Sequence, residues 1–251
     1  MKKWQLIVFK LSILLTFGVF IVLSVMSFKH GQPYANNSSQ IDIDYTQGHL
    51  FINNEIVQAK IKEFFHSSNQ VSSENLYLLE NYLQNHPHIQ KANAYIDSRG
   101  TLHVQITQIN PIARVIPIGS ISFYIDSLGR KIPISKIYTA QVPILSGYIP
   151  EVFNRVEPIR SQELKSLAHV IEVARKSPFW NAQITQLIMT DSGDIQMIPR
   201  LGNQIITLGD STDIQAKLNR LDIFYQKISK QNGWNVFKYI DVQFNHQIVC
   251  K

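Results

Sequence analysis

Between Leu11 and Phe28 the chain carries eighteen residues without a charge, its longest apolar run. As a helix rising ~1.5 Å per residue, such a run crosses most of a hydrocarbon core ~30 Å thick. Lys10 and Lys29 flank it, and Trp4 adds an interfacial ring. The stub Met1–Lys10 holds Lys2, Lys3 and Lys10 and no acid, so the positive-inside rule keeps it cytoplasmic and sends the rest across. A cleaved secretory signal would have an apolar core of ~7–15 residues and a small-x-small exit, which Ser27-Phe28-Lys29-His30 does not offer. The pattern therefore predicts an uncleaved transmembrane helix over 11–28. A tether over 29–40 follows, rich in Gly31, Pro33, Asn36, Asn37, Ser38 and Ser39.

Past the tether the periodicity changes twice within seventy residues. A short strand is predicted near Ile41–Tyr45, reaching toward Leu50–Ile52. Val57, Ile61, Phe64 and Phe65 then share one helical face behind Asn53 or Asn54, and Leu76, Leu79 and Leu83 share another behind Ser72 or Ser73. Pro87 stops that second helix. Ile89–Ile96, a turn at Asp97-Ser98-Arg99-Gly100, and the alternation of Leu102, Val104 and Ile106 with His103, Gln105 and Thr107 predict two strands. The order β-α-α-β-β makes a compact α+β unit in which two helices cover one sheet face.

Asn110-Pro111 marks a boundary. Beyond it, short strands are predicted at Phe123–Ile125 and Val142–Leu145, and a helix at Ser161–Lys176 with Leu164, Leu167, Ala168, Ile171 and Ala174 inward. Ile184–Thr190, Ile195–Ile198 and Gln204–Leu208 read as an antiparallel meander with tight turns between. A last helix runs over about Asp213–Gln231, with Gly233 as its terminator. The chain closes on Tyr239–Lys251, where Ile240, Val242, Phe244, Ile248 and Cys250 share one parity. A final strand has no later element to cover its outer side, so its backbone groups can receive a partner strand.

Charge adds little. Of the formal +6, four charges are Lys2, Lys3, Lys10 and Lys29, which leaves the exported part near +2 without a basic run and speaks against nucleic acid. One cysteine, Cys250, excludes an intramolecular disulfide framework, and it reads as a small packed side chain. His86-Pro87-His88 lacks the third donor a metal needs and reads as a solvated helix end, while His66, His103 and His246 are isolated. Asp126, Asp191 and Asp194 sit where turns need them. Gly129-Arg130-Lys131 is not a phosphate loop, and no G-x-S-x-G, H-E-x-x-H or C-x-x-C occurs. No cofactor, metal site or small-molecule substrate is indicated, and no catalytic residue is nominated.

Several segments together resemble the bacterial cell-division family FtsQ, also called DivIB. They are Pro111-Ile112-Ala113-Arg114-Val115, Tyr124–Gly129, Val142–Gly147, Ile206-Thr207-Leu208-Gly209 with Lys217-Leu218, and Tyr239–Phe244. Their order and spacing behind a lone anchor carry the likeness. Gln247–Lys251 is most similar to Bacteroidota members. The resemblance implies a POTRA domain over 41–110 and a β domain of mixed α/β make-up with an antiparallel sheet over 111–251. It further implies a non-enzymatic single-pass inner-membrane scaffold of the divisome, found at midcell during division. Such a scaffold holds FtsB-like and FtsL-like bitopic proteins and, through them, FtsW and FtsI of septal peptidoglycan synthesis. The family's docking edge maps onto Gln243, Phe244, Gln247, Ile248 and Val249. Many relatives carry Arg where Gln243 stands, so a salt bridge there is not expected in this chain. The alternatives are a membrane-tethered periplasmic enzyme, which requires a polar cleft of convergent ionisable groups, and a POTRA-bearing secretion or outer-membrane assembly factor, which requires a barrel this chain is too short to contain.

Overall fold

The computed structural model describes residues 13–24, 32–33, 39–67, 70–71, 73–229, 233, 236–245 and 247–251. Residues 13–24 form a helix, α1, with exposed side chains. The rest of the expected membrane span, the stub Met1–Lys10 and His246 lie outside the described residues. Among those described, no helix is long and apolar enough to cross a membrane. Contacts divide the chain into two units: Met1–Asp44 with Ile52–Thr107, and Tyr45–Phe51 with Gln108–Lys251.

The first unit runs β1 (Gln32–Pro33), β2 (Ser39–Asp44), α2 (Asn54–Ser67), β3 (Gln70–Val71), α3 (Ser73–Gln84), β4 (Ile89–Ile96) and β5 (Leu102–Gln108). β1 pairs antiparallel with β3. β2 lies parallel to β5, which also neighbours β4 in a three-stranded sheet. Alternation in β5 buries Leu102, Val104 and Ile106, and the helical faces bury Val57, Ile61, Phe65, Leu79 and Leu83 against them. Asn53 caps α2, its Oδ1 accepting the Ile56 N–H at 2.9 Å. α3 also closes one sheet edge: Glu80 Oε1 accepts the Ala94 N–H at 2.7 Å, and Gln84 Nε2 donates to the Ala92 carbonyl at 3.2 Å. The expected extension of β2 toward Leu50–Ile52 does not form, because Tyr45–Phe51 belongs to the second unit.

Two histidine readings need correction. His88 is buried and the His86 ring accepts its N–H through Nδ1 at 3.3 Å, so the α3–β4 turn is a packed connection and not a solvated helix end. His103 is not isolated: it stacks on Tyr95, rings 4.8 Å apart and within 3° of parallel, with Nε2 3.3 Å from Asp97 Oδ2.

The second unit runs β6 (Pro111–Pro117), β7 (Phe123–Asp126), β8 (Lys131–Pro133), β9 (Ile144–Gly147), α4 (Gln162–Arg175), α5 (Pro178–Gln183), β10 (Ile184–Met189), β11 (Ile195–Pro199), β12 (Ile205–Gly209) and α6 (Ile214–Phe224). A π-helical turn (Tyr225–Ser229), β13 (Tyr239–Asp241) and β14 (Val249–Cys250) complete it. These strands form one nine-stranded sheet in the order β14-β13-β12-β11-β10-β9-β6-β7-β8. It is mixed and not simply antiparallel. β9 lies parallel to both β6 and β10, and β13 parallel to β12, while tight turns join the antiparallel neighbours β10, β11 and β12. Parallel neighbours need a crossover, and α4 with α5 supplies one between β9 and β10, α6 another between β12 and β13.

Helix α4 follows its apolar spacing closely. Ser161 caps it by accepting the Leu164 N–H, and Leu164, Leu167, Ala168, Val170, Ile171 and Ala174 are buried. They meet Leu187, Met189, Met197, Ile206, Leu208, Ile240 and Val242 in a single core on one sheet face. On the opposite face, at the β7 end, Phe51 packs edge-on against Tyr124 and Tyr138 at 5.8 and 4.9 Å. Gly147 is required by its surroundings: at φ +94°, a Cβ there would stand 2.1 Å from the Met189 carbonyl oxygen of β10.

Candidate partner-binding edge

An open sheet has two lateral edges, each with backbone groups that can pair with a foreign strand. Here the two edges differ. At the β8 end the chain covers itself. Arg130 bridges Pro158 antiparallel, the Lys131 N–H donates to the Glu157 carbonyl at 2.8 Å, and the Ile159 N–H donates to the Gly129 carbonyl at 2.9 Å. A buried ion cluster holds that cover in place. Lys131 Nζ donates to Glu151 at 3.0 Å, to Glu157 at 2.9 Å and to the Val152 carbonyl at 2.9 Å. Burial opposes the ammonium, but its bonds to Glu157 and Glu151 outweigh that and hold its pKa above the ordinary value. Burial likewise opposes the Glu151 carboxylate, which the Ser161 and Arg160 N–H groups and Lys131 nevertheless keep below its ordinary value.

At the other end the outermost strand is β14, and among the described residues nothing pairs with its outer side. The expected single C-terminal strand is a hairpin: Ile240 opposes Cys250 and Asp241 opposes Val249. Tyr239 and Lys251 exchange both hydrogen bonds, at 3.1 and 3.0 Å. Antiparallel alternation then directs the backbone groups of Val249 and Lys251 toward β13 and those of Ile248 and Cys250 away from it. The thiol of Cys250 and the side chain of Ile248 pack on the core, and burial pushes the thiol pKa up.

The five residues expected at the edge all fall on this hairpin: Gln243 and Phe244 line one recess, Val249 lines another, and Gln247 and Ile248 line neither. Gln243 and Phe244 follow β13 and are exposed. Gln243 folds back on Asp241, donating from its backbone N–H at 3.0 Å and from Nε2 at 2.7 Å. Together with Asn245 they line a polar cleft of about 340 Å³ shared with Asp194, Gly209, Asp210, Thr212, Asp213 and Lys217. Gly209 lets the hairpin approach this closely, since a Cβ at its φ of +69° would lie 2.9 Å from that of Gln243. Lys217, buried along its length, donates to Asp210 at 2.8 Å. That bond, with those from Thr212, holds the Asp210 carboxyl down at about 2. Arg220 of α6 ties the base of the hairpin by donating to the Val242 carbonyl at 2.7 Å.

Gln247 is exposed and Ile248 half-buried on the approach to β14, while Val249 stands 39% exposed on the strand itself. Val249 faces the second recess, a groove of about 370 Å³ lined by Thr207, Tyr239, Ile240, Asp241, Val249 and Lys251. Sequence reasoning missed Thr207, Tyr239 and Lys251. Their one signal was odd parity opposite a buried even set, as at Tyr239 beside Ile240. Among the described residues no three His, Cys, Asp or Glu side chains come together to hold a metal.

The second unit is thus a mixed sheet covered by its own chain at one edge and, among the described residues, unpaired at the other. Residues 110–251 match the family described as FtsQ/DivIB, C-terminal related, and the chain belongs to that family. It is also 22% identical over 178 residues to the cell division protein FtsQ of Rhodothermus marinus, an alignment covering 69% of this chain and 64% of the relative. The chain thus spans just under two thirds of the length of that curated relative.

Proposed function

We propose that this protein is a non-enzymatic scaffold of bacterial cell division that captures a partner by strand addition along β14. The asymmetry of the sheet carries the reading. An edge that its own chain hydrogen-bonds cannot accept a strand, and β14 retains the outward backbone groups of Ile248 and Cys250. The resemblance to that family supports FtsB-like and FtsL-like bitopic proteins as the partners, linked through FtsW and FtsI to septal peptidoglycan synthesis. In this reading the uncharged run Leu11–Phe28 anchors the chain in the inner membrane with the stub cytoplasmic. Residues 41–110 are read as a POTRA domain and 111–251 as the β domain.

Two variants test the reading in the full chain, with an FtsB-like protein of the same organism as probe. Cys250→Pro deletes an outward N–H without touching the bonds to β13, and Phe244→Lys charges the bend beside it. Each should weaken co-purification at least tenfold while circular dichroism shows the chain still folded. Unaltered capture by both would reject strand addition here. In dividing cells a fluorescent fusion should form a midcell band, and a uniform envelope signal would reject the division role.

A further inference from the structure

The chain re-enters its fold almost as soon as the uncharged run ends. Only Lys29–Gly31 separate Phe28 from β1, so Gln32 stands at most about 14 Å from Phe28, the reach of a fully extended backbone. β1 pairs antiparallel with β3, Gln32 opposite Val71 and Pro33 opposite Gln70, and β3 lies in the connection between α2 and α3. Paired strands are ~4.8 Å apart, so this short ladder fastens the α2–α3 connection to the first residues past the run. The end of the first unit that carries the connection is therefore the end held beside the bilayer.

What that end exposes differs from the rest of its helix. The outward stripe of α3 is Glu74, Tyr77, Leu78, Asn81, Gln84 and Asn85. Its apolar members are confined to the half nearest β3, where Tyr77 is 63% and Leu78 46% exposed, about one turn or ~6 Å from the helix start at Ser73. Leu79 and Leu83 already fill the inward face. A tyrosine beside a leucine suits the headgroup layer, with the ring body toward the acyl chains and the hydroxyl toward water. Charge around the connection is mixed: Lys62 and His66 of α2 stand exposed, as do Glu63 and Glu74.

We propose that Tyr77 and Leu78 insert into the headgroup layer of the membrane that holds the anchor, and so lay the first unit against the lipid surface. The inference rests on the reading of Leu11–Phe28 as a membrane anchor and adds a lipid-contacting surface to it. Two side chains hold a free protein on a bilayer only weakly. Here the anchor has already brought them to the surface, so the contact is intramolecular and a small gain suffices. Because neither sign of charge dominates, insertion and not attraction to anionic lipid supplies the contact, which persists at high salt.

The test uses the full chain with Cys250→Ser, reconstituted in liposomes of phosphatidylethanolamine and phosphatidylglycerol. A bimane label is placed at Leu78→Cys or, for reference, at Asn85→Cys, which is also exposed and lies ~10 Å further along α3. Lipids bearing a nitroxide on the headgroup should quench the label at 78 at least threefold more than at 85, equally at low and high salt. Adding Tyr77→Asp should abolish the excess. Should Leu78→Cys fail to fold, a label at Tyr77→Cys carries the same expectation. Equal quenching at the two positions, in a chain that resists alkaline extraction, overturns the lipid contact and leaves the anchor standing. A chain that alkaline extraction removes from the liposomes overturns both. A label response that appears only when the FtsB-like protein is added assigns the pair to a protein partner and also overturns the proposal.

Discussion

Replacing Lys131 by Met keeps the length of a buried side chain and removes its charge. The ammonium is 2% exposed and holds Glu151 and Glu157 at 3.0 and 2.9 Å. Without it the Glu151 carboxylate, 6% exposed, is left without a cation. Breaking a buried pair by deleting one partner costs ~3–5 kcal/mol. The low end applies, about 3 kcal/mol, because Glu151 still accepts the Arg160 and Ser161 N–H groups, each at 2.8 Å. For a chain of this size that corresponds to a fall of roughly 6–12 °C in melting temperature, measured by calorimetry or circular dichroism. Adding Glu151→Gln removes the orphaned charge and should restore part of the loss.

The pH dependence gives an independent check. Glu151 and Glu157 titrate below their ordinary value of 4.5 in the folded chain, so their stabilising contribution is present above that value and is lost as pH falls through the lowered one. Lys131 titrates above 10.5, so its contribution is full below 10.5 and is lost only as pH rises past the raised value. The gap between parent and variant should therefore stay flat from about pH 5 to 10 and narrow below 4.5. A variant within ~1 kcal/mol of the parent at pH 7 would refute the clamp.

Two further outcomes follow from local geometry. Burial, His88 and Lys60 depress the His86 pKa from 6.5 to about 4, so the unfolded chain takes up a proton first. Stability should fall as pH drops from 6.5 to about 4 and level off below, and His86→Gln should flatten that slope in unfolding curves. Gly147→Ala places a methyl group against the Met189 carbonyl at positive φ. It should cost at least ~2 kcal/mol and raise hydrogen exchange in β9 and β10, and wild-type stability would contradict the contact.

What the residue pattern revealed, and what it concealed, follows from the range of the forces. Helix α4 was readable to within a residue because its cap and its apolar stripe are both local. The terminal hairpin was not, because opposed residues such as Ile240 and Cys250 share parity, just as they would along one unbroken strand. Strand β6 was missed for another reason. Pro111 and Pro117 punctuate its ends like loop residues, while a strand flanked on both sides by neighbours shows no clean alternation. The ion cluster left no local trace, since Lys131 meets Glu151 and Glu157 from 20 and 26 positions away. At the candidate edge, the likeness to relatives drew attention to Gln243 through Val249, but Tyr239 and Thr207 join Val249 only once β12 and β14 flank β13.

The second unit is not a continuous piece of chain. Phe51, 1% exposed beneath Tyr124 and Tyr138, arrives from a loop more than fifty positions ahead of β6, outside the 110–251 stretch that identifies the family. A truncation begun at Gln108 would express every strand of the large sheet yet lack this plug, leaving an aromatic-lined hole where Phe51 stood. The module boundary drawn from the family match and the one drawn from packing therefore disagree here, and anyone cutting the gene for biochemistry should follow the packing.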